Sequence, residues 1–496
     1  MTTSARISAK TWPRRVLDST LAVTLTLATA TSIVLAGAAV TSRGINQPVP
    51  IGSTGTSSAS LRNAEPDRSA NLPPMPHGRR LVVAFVVGTS GTVASDLLAP
   101  YDIFASSPAF TTYVAADVAA PAPLEGGPPV VPTYTFADVD ANPTLTPDLV
   151  VVPGLTQPTG ATEASLRSWV ARQHDDGAKV LGVCSGALVL AATGMLDGLH
   201  ATSHWSRISA LEHSRPQAHW ARGHRYVEDG SLTTTAAVTS GVPAALHLVA
   251  ELAGPAEAQR VADLHPELRW SPTETTNIAE DHFATSDLPV GLNYVMPWFR
   301  PTIGIALRDG VGELDATAAF EVYSQSAAAR TIALATSDTV RTRHGLVLLT
   351  TAFKSAPDLS SVVVPGADTP DAIDPQLRVW AENRRLTVEP LTARPGPDGT
   401  PGGSGFTAAL QNLADHTDAA TTTATAKMIG YPTTDVVLGD QHRAWRPIVL
   451  AIAGLALALL VGLAPALVAR RRRRPQRDNT PTTDAPAERE TINVTS

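Results

Sequence analysis

Four short fragments of this chain return later in it in the same order, and that repetition restricts the fold more than any single motif. The apolar run Leu81-Val82-Val83-Ala84-Phe85-Val86-Val87 is matched by Thr302-Ile303-Gly304-Ile305-Ala306-Leu307. Ala94 to Phe104 is matched by Gly312 to Tyr323, Val150 to Gly154 by Val362 to Gly366, and Gly241 to Leu246 by Gly405 to Leu410. Chance would not preserve the order, so the chain reads as a tandem duplication. Continuous apolar runs of this length suit parallel strands covered on both faces. Their alternation with helical stretches such as Ser95–Ala105 and Glu163–Asp175 predicts α/β architecture, a doubly wound parallel sheet in each copy. Ligand sites in such sheets lie beyond the carboxyl ends of the strands.

Within the first copy, the strand-like run Lys179–Val183 meets a turn of small residues, and an apolar helical run follows through Ala192. Cys184, the only cysteine in 496 residues, stands at the junction between Gly182 and Gly186. G-x-C-x-G is the spacing of a nucleophile elbow, a sharp turn that projects its central side chain and admits only tiny neighbours. A helix N-terminus aimed at the sulfur favours thiolate. The alternative is a packed structural thiol, since free cysteine is among the most buried residue types. The second copy has Leu386–Leu391 where the elbow strand would be, then a Pro/Gly-rich loop, Thr392 to Gly405, and nothing corresponding to Ser185–Thr239. A chemical role for it is not expected.

The ends of the chain differ from its middle. Residues 1–43 carry Arg6, Lys10, Arg14 and Arg15 ahead of an apolar run over about 21–40, read as a signal-anchor or a signal peptide with Ala36-Gly37-Ala38 as its cleavage site. Residues 44–78 read as a flexible linker, 271–300 as a polar connector and 445–469 as a transmembrane helix. Trp445 at the entrance of that helix and Arg470 to Arg474 at its exit give a stop-transfer pattern with the tail, 470–496, in the cytoplasm. The expected topology is cell membrane, both termini cytoplasmic and both copies outside. A net charge of -7 without a central basic patch excludes a nucleic-acid partner, and one cysteine excludes an intrachain disulfide.

Residues 79–270 resemble the DJ-1/PfpI family of the class I glutamine amidotransferase-like superfamily, in the branch of isonitrile hydratase and the sensor domains of AraC-type regulators. The resemblance rests on Leu181-Gly182-Val183-Cys184-Ser185-Gly186-Ala187, Gly194-Met195-Leu196-Asp197-Gly198 and Ala201-Thr202-Ser203-His204-Trp205. It extends weakly to the second copy, 301–438, as a degenerate domain, and implies a flavodoxin-like sheet in both. It implies Cys184 as nucleophile, Asp96 as the acid four residues before Pro100, and His204 as an assisting histidine. An oxyanion hole would come from Gly154 and the Ser185 N–H. Read without the resemblance, Asp96 is more readily a helix cap. His204 competes with His174, His200, His213, His219 and His224, but no helix carries an H-x-x-x-H pair and no carboxylates cluster with them, so no metal site is expected. No cofactor is expected either. Leu155 stands where relatives often have a second glycine, and Ser185 stands where protease-like members have histidine. The implied functions are a small-molecule hydratase or hydrolase attacking an isonitrile, aldehyde or amide carbon, or a non-catalytic ligand- or redox-sensing module. Family members usually dimerise, so the copies would form an intramolecular pseudo-dimer, or the chain a homodimer.

Overall fold

The computed structural model describes residues 14–45, 79–265, 270–367, 369–391, 405–434, 436–438 and 445–472. The 44–78 linker past residue 45, the loop 392–404 and the tail beyond 472 lie outside the described residues. The first α/β lobe is built on strand Leu81–Val86, buried at every position. Parallel strands Phe110–Ala116 and Leu149–Val152 flank it, and Lys179–Gly182 and then Leu232–Thr235 continue the parallel sheet beyond Leu149–Val152. Tyr226–Asp229 closes that edge antiparallel, and Tyr134–Thr135 closes the other, giving seven strands. Since the central strands are parallel, the ends of Leu81–Val86, Leu149–Val152 and Lys179–Gly182 open on one rim, where the turns carrying Asp96, Gly154 and Cys184 follow.

A second parallel sheet has Thr302–Ala306 at its centre, with Arg330–Ala335 and Thr351–Ala352 to one side and Ser361–Val364 and Val388–Pro390 to the other. Its five strands follow the spatial order of the five first-sheet strands from Lys179–Gly182 to the edge strand Tyr134–Thr135, with Val388–Pro390 standing where Lys179–Gly182 does. Nothing corresponding to the Tyr226–Thr235 hairpin lies beside it among the described residues.

The lobes share a hydrophobic core in which helix Ala94–Ala105 packs on helix Glu313–Ser326. The polar contacts across this pair are reciprocal. Ser95 Oγ donates to Glu321 Oε2 at 2.7 Å, and the Leu314 N–H donates to Asp102 Oδ2 at 2.9 Å. Ser95 and Leu314 hold the same position in the matched fragments, as do Asp102 and Glu321. Strand Val130–Val131 also pairs antiparallel with Val347–Leu349 of the second lobe.

The 271–300 connector holds more structure than its polarity predicts. Leu288–Val295 is a helix with Pro289 in its first turn, where a missing N–H costs nothing, and its Asn293 is buried. It packs on helix Ala419–Ile429. At the ends of the chain, helices Arg14–Ile45 and Trp445–Arg472 contain the apolar stretches Thr20–Gly44 and Trp445–Pro465, long enough to cross a membrane. Only 6 % and 17 % of these windows are buried, unlike a core helix. Gly462 lies against Thr26 and the Ala22 carbonyl, a small-residue contact between the two helices.

Candidate functional site

Lys179–Gly182 ends in a turn that leaves Cys184 at φ +54°, a left-handed conformation that costs a non-glycine residue about 1–3 kcal/mol. Two hydroxyls hold it there. Thr235 Oγ1, on the neighbouring strand, accepts the Cys184 N–H at 2.8 Å, and Ser203 Oγ donates to the Cys184 carbonyl at 3.1 Å. Helix Gly186–Thr193 starts immediately afterwards. A Cβ on Gly186 would run into the Val152 carbonyl oxygen, so the elbow can press this close to the adjacent strand only with glycine there. Cys184 is 5 % exposed.

Asp96 is fully buried in the first turn of helix Ala94–Ala105. It is not the helix cap. Val93 occupies the cap position without a side-chain bond, while Asp96 Oδ2 accepts the Gly154 N–H at 3.0 Å. Asp96 Oδ1 has no hydrogen-bond partner among the described residues. Gly154 is wedged between this carboxyl and Ser185, for a Cβ there would meet Ser185 Oγ and stand 2.9 Å from Asp96 Oδ2. Gly154 and Ser185 are thus neighbours, as the oxyanion-hole reading required. The Gly154 N–H, however, is engaged by Asp96, so of the two donors only the Ser185 N–H is directed to the sulfur.

The electrostatics favour protons on both groups. Burial first, then the nearby charge of Asp96, pushes the Cys184 thiol well up, against the Ser185 N–H and hydroxyl that favour thiolate. Burial, then Glu321 and Glu125, raises Asp96 well above the ordinary carboxyl range, opposed by the Gly154 N–H. Glu125 is itself raised by burial. Glu321, fully buried and held by Ser95 Oγ and the Gln325 side chain at 2.8 Å, is pushed by burial to about 7. The second lobe, expected to have no chemical role, therefore places a carboxyl within electrostatic reach of both Asp96 and Cys184. The repeated fragment contained Glu321, but only the packing of the two helices brings it here.

His204 does not join this group. It caps helix Trp205–Ser214, its Nδ1 lies 2.8 Å from Ser206 Oγ, and its Nε2 donates to the Met428 carbonyl at 2.8 Å. Both ring nitrogens are engaged away from the sulfur, and burial lowers its pKa to about 4, leaving it neutral. The expected assisting histidine is instead a link to helix Ala419–Ile429 of the second lobe. Asp315 stands beside Gly366, near which a Cβ would approach its Oδ2 to 3.1 Å, much as Asp96 stands beside Gly154, but no thiol accompanies it.

A doubly wound parallel sheet with a lone cysteine on a strained turn after a central strand defines a class of α/β proteins with cysteine elbows. The sequence profile of the DJ-1/PfpI family matches residues 82–251, and through this region the chain belongs to that family. Isonitrile hydratase of Pseudomonas putida is 34% identical over 168 residues, 34% of this chain and 70% of that enzyme. The HTH-type transcriptional regulator CdhR of Pseudomonas aeruginosa is 33% identical over 116 residues, 23% of this chain. The chain spans only 34% of that regulator's length. Among solved structures, a ThiJ/PfpI family protein from Pseudomonas syringae is 28% identical and covers 43% of this chain and 85% of its own, with a TM-score of 0.36.

Proposed function

We propose that Cys184 and Asp96 form a hydratase-type site that adds water to a small carbon electrophile of the isonitrile kind. One observation carries this reading: the Asp96 carboxyl is divided, Oδ2 fixed by the Gly154 N–H and Oδ1 buried without a partner among the described residues. An acid held neutral beside a protonated thiol suits addition across a multiple bond by proton relay. Asp96 gives its proton to the isonitrile carbon while Cys184 Sγ bonds to that carbon, and the thiol proton passes to the Asp96 carboxylate. The product is a thioimidate. Water then adds across its C=N bond, hydroxyl to carbon and proton to nitrogen. The C–S bond breaks, the hydroxyl proton returns to sulfur, and a formamide leaves. The 34% identity to an isonitrile hydratase supports the substrate class.

The second reading, ligand sensing without turnover, is favoured by the match to a transcriptional regulator. Oxidant sensing fits less well, because a buried thiol with a raised pKa oxidises slowly. Incubating the purified chain with alkyl isonitriles tests both. Formamide release that is absent in Cys184→Ala and at least ~100-fold slower in Asp96→Asn is the expected result. Saturable binding without formamide would leave the sensing role instead.

We read the two lobes as a tandem duplication arranged as an intramolecular pseudo-dimer. The shared strand order supports this, as do the reciprocal Ser95–Glu321 and Leu314–Asp102 contacts, the pattern of an isologous interface. The terminal helices are read as membrane anchors with the lobes outside and both termini in the cytoplasm. Their poor burial and the Arg470–Arg474 run support that reading.

A further inference from the structure

Away from the thiol, four side chains from four separate segments converge between the lobes. Asp102 lies on helix Ala94–Ala105, His265 follows helix Pro255–Ala262, Glu313 opens helix Glu313–Ser326, and His344 sits in the turn between strands Thr339–Arg341 and Val347–Leu349. Both carboxylates are fully buried and His265 is 5 % exposed. Asp102 Oδ2 accepts the Leu314 N–H at 2.9 Å and its Oδ1 accepts Ser106 Oγ at 3.4 Å, while Glu313 Oε1 accepts Thr342 Oγ1 at 2.6 Å and the His344 N–H at 2.9 Å. Asp102 Oδ1 and Glu313 Oε2 face the imidazoles. His344 Nδ1 stands 2.9 Å from Glu313 Oε2 and 3.4 Å from Asp102 Oδ1, and His265 Nε2 stands 3.7 Å from the same Asp102 oxygen.

We propose that Asp102 Oδ1, Glu313 Oε2 and His344 Nδ1, which lie within 4.8 Å of one another, bind a zinc-class divalent metal ion that clamps the two lobes together, with His265 standing beside Asp102 at the edge of the site. Buried carboxylates need a positive partner or a metal. The nearby guanidinium, Arg260, which donates to the Ser106 carbonyl, is already held by Glu257 at 2.7 and 2.9 Å. An imidazole with two carboxylate oxygens suits zinc, cobalt or nickel rather than magnesium or calcium. Bonds of about 2.0–2.2 Å set neighbouring tetrahedral ligands about 3.3–3.6 Å apart. The 3.4 Å separation is near this spacing and long for a hydrogen bond, while the 2.9 Å pair has to open by about half an ångström. With Nδ1 on the metal, His344 is held as the Nε2–H tautomer, and Nε2, 3.3 Å from Ser106 Oγ, is able to donate to it. This site departs from the sequence expectation of no metal, and it is independent of Cys184.

The full chain, purified in detergent and stripped with a chelator, is titrated with zinc chloride and, in parallel, with cobalt(II) followed by its visible d–d bands. The expected result is uptake of one equivalent with a tetrahedral cobalt spectrum, retained in Cys184→Ala. His344→Ala and Glu313→Gln bind at least about 100-fold more weakly with an unchanged circular dichroism spectrum; should either misfold, Ser106→Ala binds about 10-fold more weakly. No uptake by the unaltered chain overturns the proposal, as does uptake that these substitutions leave unchanged or that Cys184→Ala abolishes.

Discussion

Glu321 gives the sharpest test of how the lobes are joined, because its protonation enters the folding free energy. Its folded-state pKa of about 7 exceeds the ordinary 4.5, with burial the largest cause. Between these values the folded chain holds a proton that the unfolded chain has released. Stability from this group is therefore complete below about 4.5 and is lost as pH rises through about 7. The gap corresponds to about 3 kcal/mol at about 1.36 kcal/mol per pKa unit. Glu321→Gln removes the ionisation and keeps an acceptor for Ser95 Oγ, and a flip of the Gln325 amide restores its contact. The variant should match the unaltered chain near pH 4.5 and exceed it by up to about 3 kcal/mol at pH 8. Following the first transition in urea at both pH values measures this, because loss of interlobe packing contributes to it. Parallel pH profiles for the two proteins would refute both the burial of Glu321 and its protonation in the folded state. Removing the charge should also extend thiol alkylation of Cys184 to lower pH, since Glu321 raises that thiol.

Three further outcomes are expected. Gly186→Ala should cost about 3 kcal/mol or more and abolish the reaction of Cys184, because its Cβ meets the Val152 carbonyl; Gly182→Ala meets only the end of the Leu190 side chain at 2.8 Å and should cost about 1 kcal/mol, both read from thermal melts. His204→Ala should destabilise the chain by about 1–3 kcal/mol through the orphaned Met428 carbonyl, yet leave formamide formation within a few-fold; a collapse of rate at preserved stability would return His204 to the chemistry. Protease shaving of intact cells should remove the lobes and spare the Arg470–Arg474 tail, and protected lobes would contradict the proposed topology.

The strand runs, the elbow glycines and the apolar terminal stretches were legible because each is a local pattern. Alternation, turn chemistry and window hydropathy act over a few residues, and strands Leu81–Val86, Leu149–Val152 and Lys179–Gly182 lie where those patterns put them. The matched runs Leu81–Val87 and Thr302–Leu307 each fall on a central strand of a parallel sheet. The Leu288–Val295 helix was hidden because it is short and its apolar residues gain their partners from distant helices, Ala419–Ile429 and Glu313–Ser326. The chemistry around the thiol was the least legible part. Local sequence allows Asp96 as a cap or an acid and His204 as its helper, whereas the fold sets the Gly154 N–H on Asp96 and the Met428 carbonyl on His204 Nε2. By itself the sequence determined that one cysteine stands on a glycine-flanked turn after a buried strand. Only tertiary structure decided what surrounds it, because a carboxyl 137 residues beyond Cys184 in the chain, Glu321, reaches that neighbourhood through helix packing, which no local pattern encodes.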